Sequence, residues 1–498
     1  MKLILFFNKL KLLGLLTIVF ILLGCQQTNE TILGFGLATA PVTLDPRFAT
    51  DATSTRINRL LYWALTDFDE NLRPVPSLAR WEQLSPTCYR FYLGEQGRTF
   101  HDNSRLTASD VKATYDFVLA SDNASPHRGS LAVIAQIKVQ NPDTIDFILS
   151  KPDTLFPGRL VVGILPAKLI QENHPFNKEP VGSGPFRFLA WPQPSRLSLQ
   201  RRNDNQTIEF LEIKNPVVRV LKLVRNEIDI IQSDLSPELI TWLTQRPEVI
   251  VTKGEGSNFT YLGVNLQDPL IKQLKIRQAI AYAINREDII HYVLGDAARP
   301  ASSLLPPTHW AGHPALSAYP YDPDKARTLL AEVGFNAEHP LSLTYKTSNN
   351  PFRVRIASVI QHQLAAVNIN VDIKSYDWGT FYGDIKTGRF QMFSLSWVGI
   401  KMPDIFRYVF HSSAVPPSGA NRGRFLDEKV DQLIEQAEQA TSLEAQAALY
   451  RELQAYVFYE LPYIPLWYED HVLATSQRVR GYTLAIDGNY DGLKQVTW

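Results

Sequence analysis

Hydrophobic positions in this chain fall into distinct patterns, each predicting a different kind of element. Lys2, Lys9 and Lys11 accompany a nearly continuous apolar run of twelve, Leu12 to Leu23. A membrane-spanning helix takes about 20 apolar residues, so this run is too short to span and has the length of a signal-peptide core. Beyond it, short β-like runs alternate with amphipathic helices to the end of the chain. Cys88 to Leu93 reads as a strand. Thr107 with Asp110 makes a capping box that opens a helix through Val111, Tyr115 and Val118. Asp322 and Pro323 open another, with Ala326, Leu329, Leu330 and Val333 on one face and Gly334 as its left-handed stop. Asn285 with Asp288 restarts a helix, and Thr441 with Glu444 starts a long one through Leu449, Leu453 and Val457. Leu466 and Trp467, behind Pro462 and Pro465, read as a strand that returns the chain to an earlier domain. The pattern predicts an α/β fold with no simple tandem division.

Composition narrows the function. A chain of 498 residues has room for two or three domains with full cores. Lys plus Arg equals Asp plus Glu at 50 each, so no basic excess marks a nucleic-acid partner. Aromatic residues make up 11% and prolines number 32, which suits a folded exported protein with rigid loops and a ring-lined cleft. The only cysteines are Cys25 and Cys88, and with Cys25 at the end of the signal, Cys88 has no disulfide partner within the chain and is predicted to be a buried, inert thiol. No nucleophile elbow, zinc-protease, phosphate-loop or Cys-x-x-Cys motif is present. Gly182-Ser183-Gly184 runs straight into Pro185 and reads as a tight turn between strands; His101-Asp102 reads as a loop before a helix. The histidines are scattered, so no metal, cofactor or catalytic activity is expected.

Two resemblances add to this. Leu22-Leu23-Gly24-Cys25 resembles the lipobox of bacterial lipoproteins, which implies cleavage before Cys25, acylation of its thiol and a membrane anchor at the cell envelope or periplasm. Gln26 after the cysteine leaves the leaflet open. Thr99-Phe100-His101-Asp102-Asn103 with Leu106 to Val111 closely resembles the signature of family 5 extracellular solute-binding proteins, the receptors of ABC importers for oligopeptides, dipeptides or nickel. Pro180 to Phe186, Asn226 to Ile230, Asn265, Ile276 to Ala279 with Tyr282 to Ile284, Tyr321-Asp322-Pro323, Ile369 to Ile373, Trp378, Trp397 and Asn421 match in order. The resemblance implies a periplasmic-binding-protein type II-like fold: two lobes that close about a hinge, plus an inserted domain. It implies signal 1–24, domain I in segments 25–60, 178–258 and 471–498, a domain II insertion at 61–177, and domain III at 259–470. A domain-crossing helix is implied at Ile276 to Ile284. The implied partners are an ABC permease with its ATPase and a small ligand, with the receptor acting as a monomer.

The family pattern breaks at the cleft. In peptide-binding members the domain III tryptophan is followed by a carboxylate that pairs with the ligand's ammonium, because a charge leaving water costs several kcal/mol unless paired. Here the segment is Trp397-Val398-Gly399-Ile400-Lys401-Met402-Pro403-Asp404, with Ile400 where the carboxylate would stand. Either Asp404 swings into the space, or the ligand has no amine there and is an N-blocked peptide, a cyclic compound, a glycan or other non-peptide such as a metal chelate or opine, or an anion that Lys401 attracts. Arg353 and Arg355 are candidates for a ligand carboxylate, which a guanidinium binds bidentately. Trp397 and Tyr261 are the aromatics placed at the cleft.

Overall fold

The computed structural model describes residues 32–498. Cys25 and the apolar run before it lie outside those residues. The fold is α/β, built on an eleven-stranded mixed sheet that runs through both lobes. Its order is Ile369–Tyr376, Leu341–Ser348, Met392–Trp397, Val249–Val264, Tyr463–Ser476, Ile230–Gln232, Leu33–Leu37, Thr207–Glu212, Arg196–Arg201 and Phe186–Gln193, with Ala298–Pro300 paired to Tyr463–Ser476. The long antiparallel pair Val249–Val264 and Tyr463–Ser476 ties the two halves together. Its register is interrupted between Gly254 and Asn258, where Gly256 packs against the Glu469 carbonyl.

A separate four-stranded antiparallel sheet, Ala79–Ser85, Cys88–Leu93, Thr144–Leu149 and Ile134–Asn141, forms the inserted unit with the helix Ala108–Leu119. Its core, from Leu65 to Ile164, includes Phe91, Tyr115, Phe147 and Phe156. Leu165 and Phe176, expected in the insertion, pack instead with Leu33, Phe35, Leu61 and Phe210 of the first lobe. The second lobe fills both faces of its part of the sheet, one with Leu262, Ile280, Leu343 and Ile360, the other with Phe259, Phe393, Phe406 and Tyr450.

Capping chemistry explains where the helices start. The Thr107–Asp110 box is present, and Asp322 and Asn285 accept the backbone N–H of Lys325 and Asp288. Each such cap contributes about 1 kcal/mol. The long C-terminal helix is Leu443–Glu460, and its cap is Ser442 rather than Thr441, because the Ser442 hydroxyl takes the Ala445 N–H. The helix Leu274–Ala283 does not cross between domains; its buried face lies wholly in the second lobe, with Arg277 tied to the carbonyls of Ile271, Lys272 and Glu460. Cys88 is half-buried, not buried, and burial pushes its thiol up.

Gly182 and Gly184 mark a close approach, not a turn between strands. A Cβ on Gly182 would sit 2.0 Å from the Leu61 carbonyl oxygen, and one on Gly184 would sit 2.4 Å from that of Leu60. His101 locks this contact. The Gly182 N–H donates to its Nδ1 at 3.2 Å, so Nε2 carries the proton and donates to the Gly184 carbonyl at 3.2 Å. Burial pushes the imidazole down to about 4, which keeps it neutral.

Candidate ligand-binding cleft

The parallel strands Leu341–Ser348, Ile369–Tyr376 and Met392–Trp397 of the second lobe release their chains at Asn349, Asp377 and Val398. Open α/β sheets bind ligands beyond the carboxyl ends of such strands. The lobes are in contact across this region. Lys401 Nζ lies 2.6 Å from Asp487 Oδ2, and Asp404 Oδ2 lies 2.8 Å from Arg159 Nη1. The Trp310 N–H donates to the Asn71 carbonyl at 3.0 Å, and Arg73 reaches Glu444 at 2.8 Å.

Beneath the Lys401–Asp487 bridge is a cavity of about 400 Å³, within the range of small-ligand sites. Tyr62, Trp63, Phe68 and His127 of the first lobe and insertion line it, and Lys401 is its one second-lobe residue among those described. Its charged lining is Arg59, Asp67, Lys401 and Lys494, and the partners Asp487 and Asp491 line an adjoining cavity that shares Arg59, Phe68 and Asn489. Arg59 holds Asp67 and Asp491, the latter at 2.7 Å, while Lys494 reaches Asp491 at 3.1 Å. Burial pushes the Asp491 carboxyl up, but Arg59 and Lys494 outweigh it and hold it below the usual range. Lys401 also lies 5.2 Å from the centre of the Phe68 ring. Its backbone is fixed by His309, whose Nδ1 accepts the Ala311 N–H and whose Nε2 donates to the Lys401 carbonyl at 3.1 Å. Burial pushes that imidazole down to about 4, so it stays a neutral donor.

The sequence-predicted residues divide sharply. Lys401 enters the cavity. Ile400 is 8% exposed and packs beside Phe406 and Val409, with one edge on a groove between Phe68 and Tyr408. Asp404 does not swing into the place of the missing carboxylate: it faces Arg159, which also holds Asp153 at 2.7 Å. Trp397 is half-buried at the end of its strand, edge-on to Tyr408 at 6.1 Å. Tyr261, expected at the cleft, is fully buried, stacked on Tyr463 at 3.9 Å. Arg355 is spent on an ion pair with Glu238. Arg353 approaches Glu469 loosely, at 3.5 Å, and the same carboxylate oxygen accepts the hydroxyls of Thr260 at 2.9 Å and Ser396 at 3.3 Å.

Sequence reasoning missed Arg59, Asp487, Glu469 and Arg422. Only strand register brings Glu469 to Thr260 and Ser396, and no local spacing signals Asp487 as the partner of Lys401. Among the described residues, no group of three or more His, Cys, Asp or Glu side chains is placed to hold a metal ion, and no helix is long and apolar enough to cross a membrane.

Residues 73–415 match the family of bacterial extracellular solute-binding proteins, family 5. The chain belongs to that family. It is 28% identical to di/tripeptide-binding protein 2 of Pseudomonas aeruginosa, over 95% of this chain and 96% of that one. It is 26% identical to heme-binding protein A of Haemophilus influenzae, over 95% and 93%. Among solved structures, it superposes on the periplasmic binding protein DppA of Helicobacter pylori, in complex with the peptide STSA, with a TM-score of 0.73. That match is 26% identical and covers 93% of this chain and 97% of the other. This solute-binding protein therefore has the two-lobed family fold, with Lys401 and Asp404 of the second lobe bridged to Asp487 and Arg159.

Proposed function

We propose that this solute-binding protein captures a small peptide or peptide-like compound by closing its lobes, and presents the closed form to an ABC permease and its ATPase. It acts as a monomer without catalysis of its own, tethered outside the cytoplasm through acylated Cys25. The observation that carries the reading is the Lys401–Asp487 bridge, where the cavity lined by Lys401 adjoins the one lined by Asp487. A zwitterion suits such a site: its ammonium can take over a carboxylate such as Asp487, and its carboxylate a cation such as Lys401, without stranding a charge. The di/tripeptide-binding relative supports the same class. In this mechanism Val249–Val264 and Tyr463–Ser476 are the strands about which the lobes turn.

A non-peptide ligand is the second reading, favoured by Ile400 in place of the ammonium-binding carboxylate and by the relative named for heme. Native mass spectrometry of the protein lacking Cys25, followed by denaturing release of its cargo, separates the two. Peptides, free at the amine or N-blocked, support the first reading; a single non-peptide species overturns it.

A further inference from the structure

Arg422 is a buried cation without a carboxylate. It is 8% exposed and makes no ion pair among the described residues. Its guanidinium lies 5.0 Å from the centre of the Trp397 ring and 5.4 Å from that of Tyr382. Two of its N–H groups reach phenol oxygens, Tyr261 at 3.3 Å and Tyr382 at 3.1 Å.

Other buried arginines in this chain are tied into the framework. Arg286 spreads its N–H groups over the carbonyls of Pro465, Ala281, Ile284 and Tyr319, and Arg201 pairs with Asp204 besides two main-chain carbonyls. Phenols and ring faces orient the Arg422 charge but do not neutralise it, and an uncompensated buried charge is costly. The phenol of Tyr463 is buried beside Arg422 and faces Trp397 and Tyr261, so the neighbours of the guanidinium are neutral rings and hydroxyls that bring it no counter-charge. The cluster also opens outward, since Tyr382 stacks at 5.4 Å on Trp378, which is 58% exposed, and Trp397 meets Tyr408 of the interlobe groove.

We propose that Arg422, held between Trp397 and Tyr382, is an acid-binding subsite of the cleft that selects ligands bearing a carboxylate. The proposal deepens the solute-receptor reading and rests on it. A planar guanidinium with open N–H groups between two rings matches a carboxylate in shape and supplies charge-assisted hydrogen bonds. The acid can be a peptide's C-terminus or an Asp or Glu side chain.

The test uses the full chain from residue 26 onward as wild type, Arg422→Lys and Arg422→Gln. Each is mixed with an equimolar di- and tripeptide library and with its C-terminally amidated twin, and bound species are read by native mass spectrometry. The acid library should outcompete the amides by about tenfold or more in wild type, and the ratio should fall toward one in both variants. Arg422→Lys keeps the charge and, with an unchanged melting curve, keeps the result interpretable if Arg422→Gln misfolds. Amides bound only when they carry Asp or Glu would support the subsite and identify the side chain as its occupant. An acid-to-amide ratio near one in wild type, or one unchanged in Arg422→Lys, overturns the proposal. Uptake of neither library defeats the peptide reading instead; the cargo carried from cells then decides the subsite, an acid supporting it and a compound without one overturning it.

Discussion

Lys401 and Asp487 join the two lobes at 2.6 Å, so the residue beside the missing family carboxylate supplies an ammonium of its own to the cleft. Burial pushes the Asp487 carboxyl up, but Lys401 outweighs it and holds it below the usual range. The pair stabilises closure without a ligand. Lys401→Met should therefore open the unliganded protein, because it leaves Asp487 unpaired in a buried position, at a cost of about 1–3 kcal/mol. Lys401→Met with Asp487→Asn should recover part of that loss. Small-angle scattering on the unliganded proteins checks it; radii of gyration equal to wild type in Lys401→Met would mean that the pair does not hold the lobes.

The same pair sets a pH dependence. A carboxyl whose value is lowered in the closed state contributes stability above its open-state value, about 4, and loses it as pH falls through the lowered one. Between pH 7 and 5 the Lys401–Asp487 contribution to the closed population should be flat; it should shrink only below about pH 4. Scattering across that range, wild type against Asp487→Asn, reads the difference.

His101 gives a separate window for overall stability. Its folded value is lowered to about 4 by burial, so the unfolded chain binds more protons at this site between that value and about 6.5. Stability from His101 is complete above about 6.5 and falls with pH toward 4, by up to about 3 kcal/mol. His101→Gln should remove that slope. Urea unfolding at pH 7.0, 5.5 and 4.5 tests this; equal slopes in variant and wild type would sink it.

Gly184→Ala should destabilise the first lobe by about 1–3 kcal/mol or more, because its Cβ would fall 2.4 Å from the Leu60 carbonyl oxygen, in a backbone that cannot yield. Urea unfolding again measures it, and an unchanged midpoint would mean that the helix end at Leu60 and Leu61 moves freely.

What could be read before the structure follows from the range of each interaction. The caps at Thr107, Asp322 and Asn285 involve neighbours within a helical turn, and they stand where the pattern put them. Tyr261 was misplaced because its strand is packed on both faces, so alternation could not separate a cleft ring from a core ring. The family pattern drew the segment from Trp397 to Asp404 out of the sequence, because Ile400 stands where a carboxylate was expected. It could not show that Lys401 would reach Asp487, or that Arg159 already occupies Asp404, since both partners arrive from other domains. Arg422 carried no signal because its surroundings are phenols and rings drawn from three separate segments, at Tyr261, Tyr382 and Trp397.

Restoring the family carboxylate by Ile400→Asp tests whether sequence position alone makes an ammonium site. Ile400 is 8% exposed and packed in the cluster with Phe406 and Val409. The neighbouring cations are committed, Lys401 to Asp487 and Arg159 to Asp153 and Asp404. A carboxylate placed there would be buried without a partner, so the variant should lose about 2–4 kcal/mol of stability and gain no affinity for free-amine peptides. Calorimetric melting together with titration of a free-amine tripeptide and its N-acetyl form reads both quantities. A gain in affinity for the free amine alone would mean that the loop re-aims residue 400 into the cavity on binding, and that the Lys401–Asp487 bridge yields to the ligand rather than standing in for it.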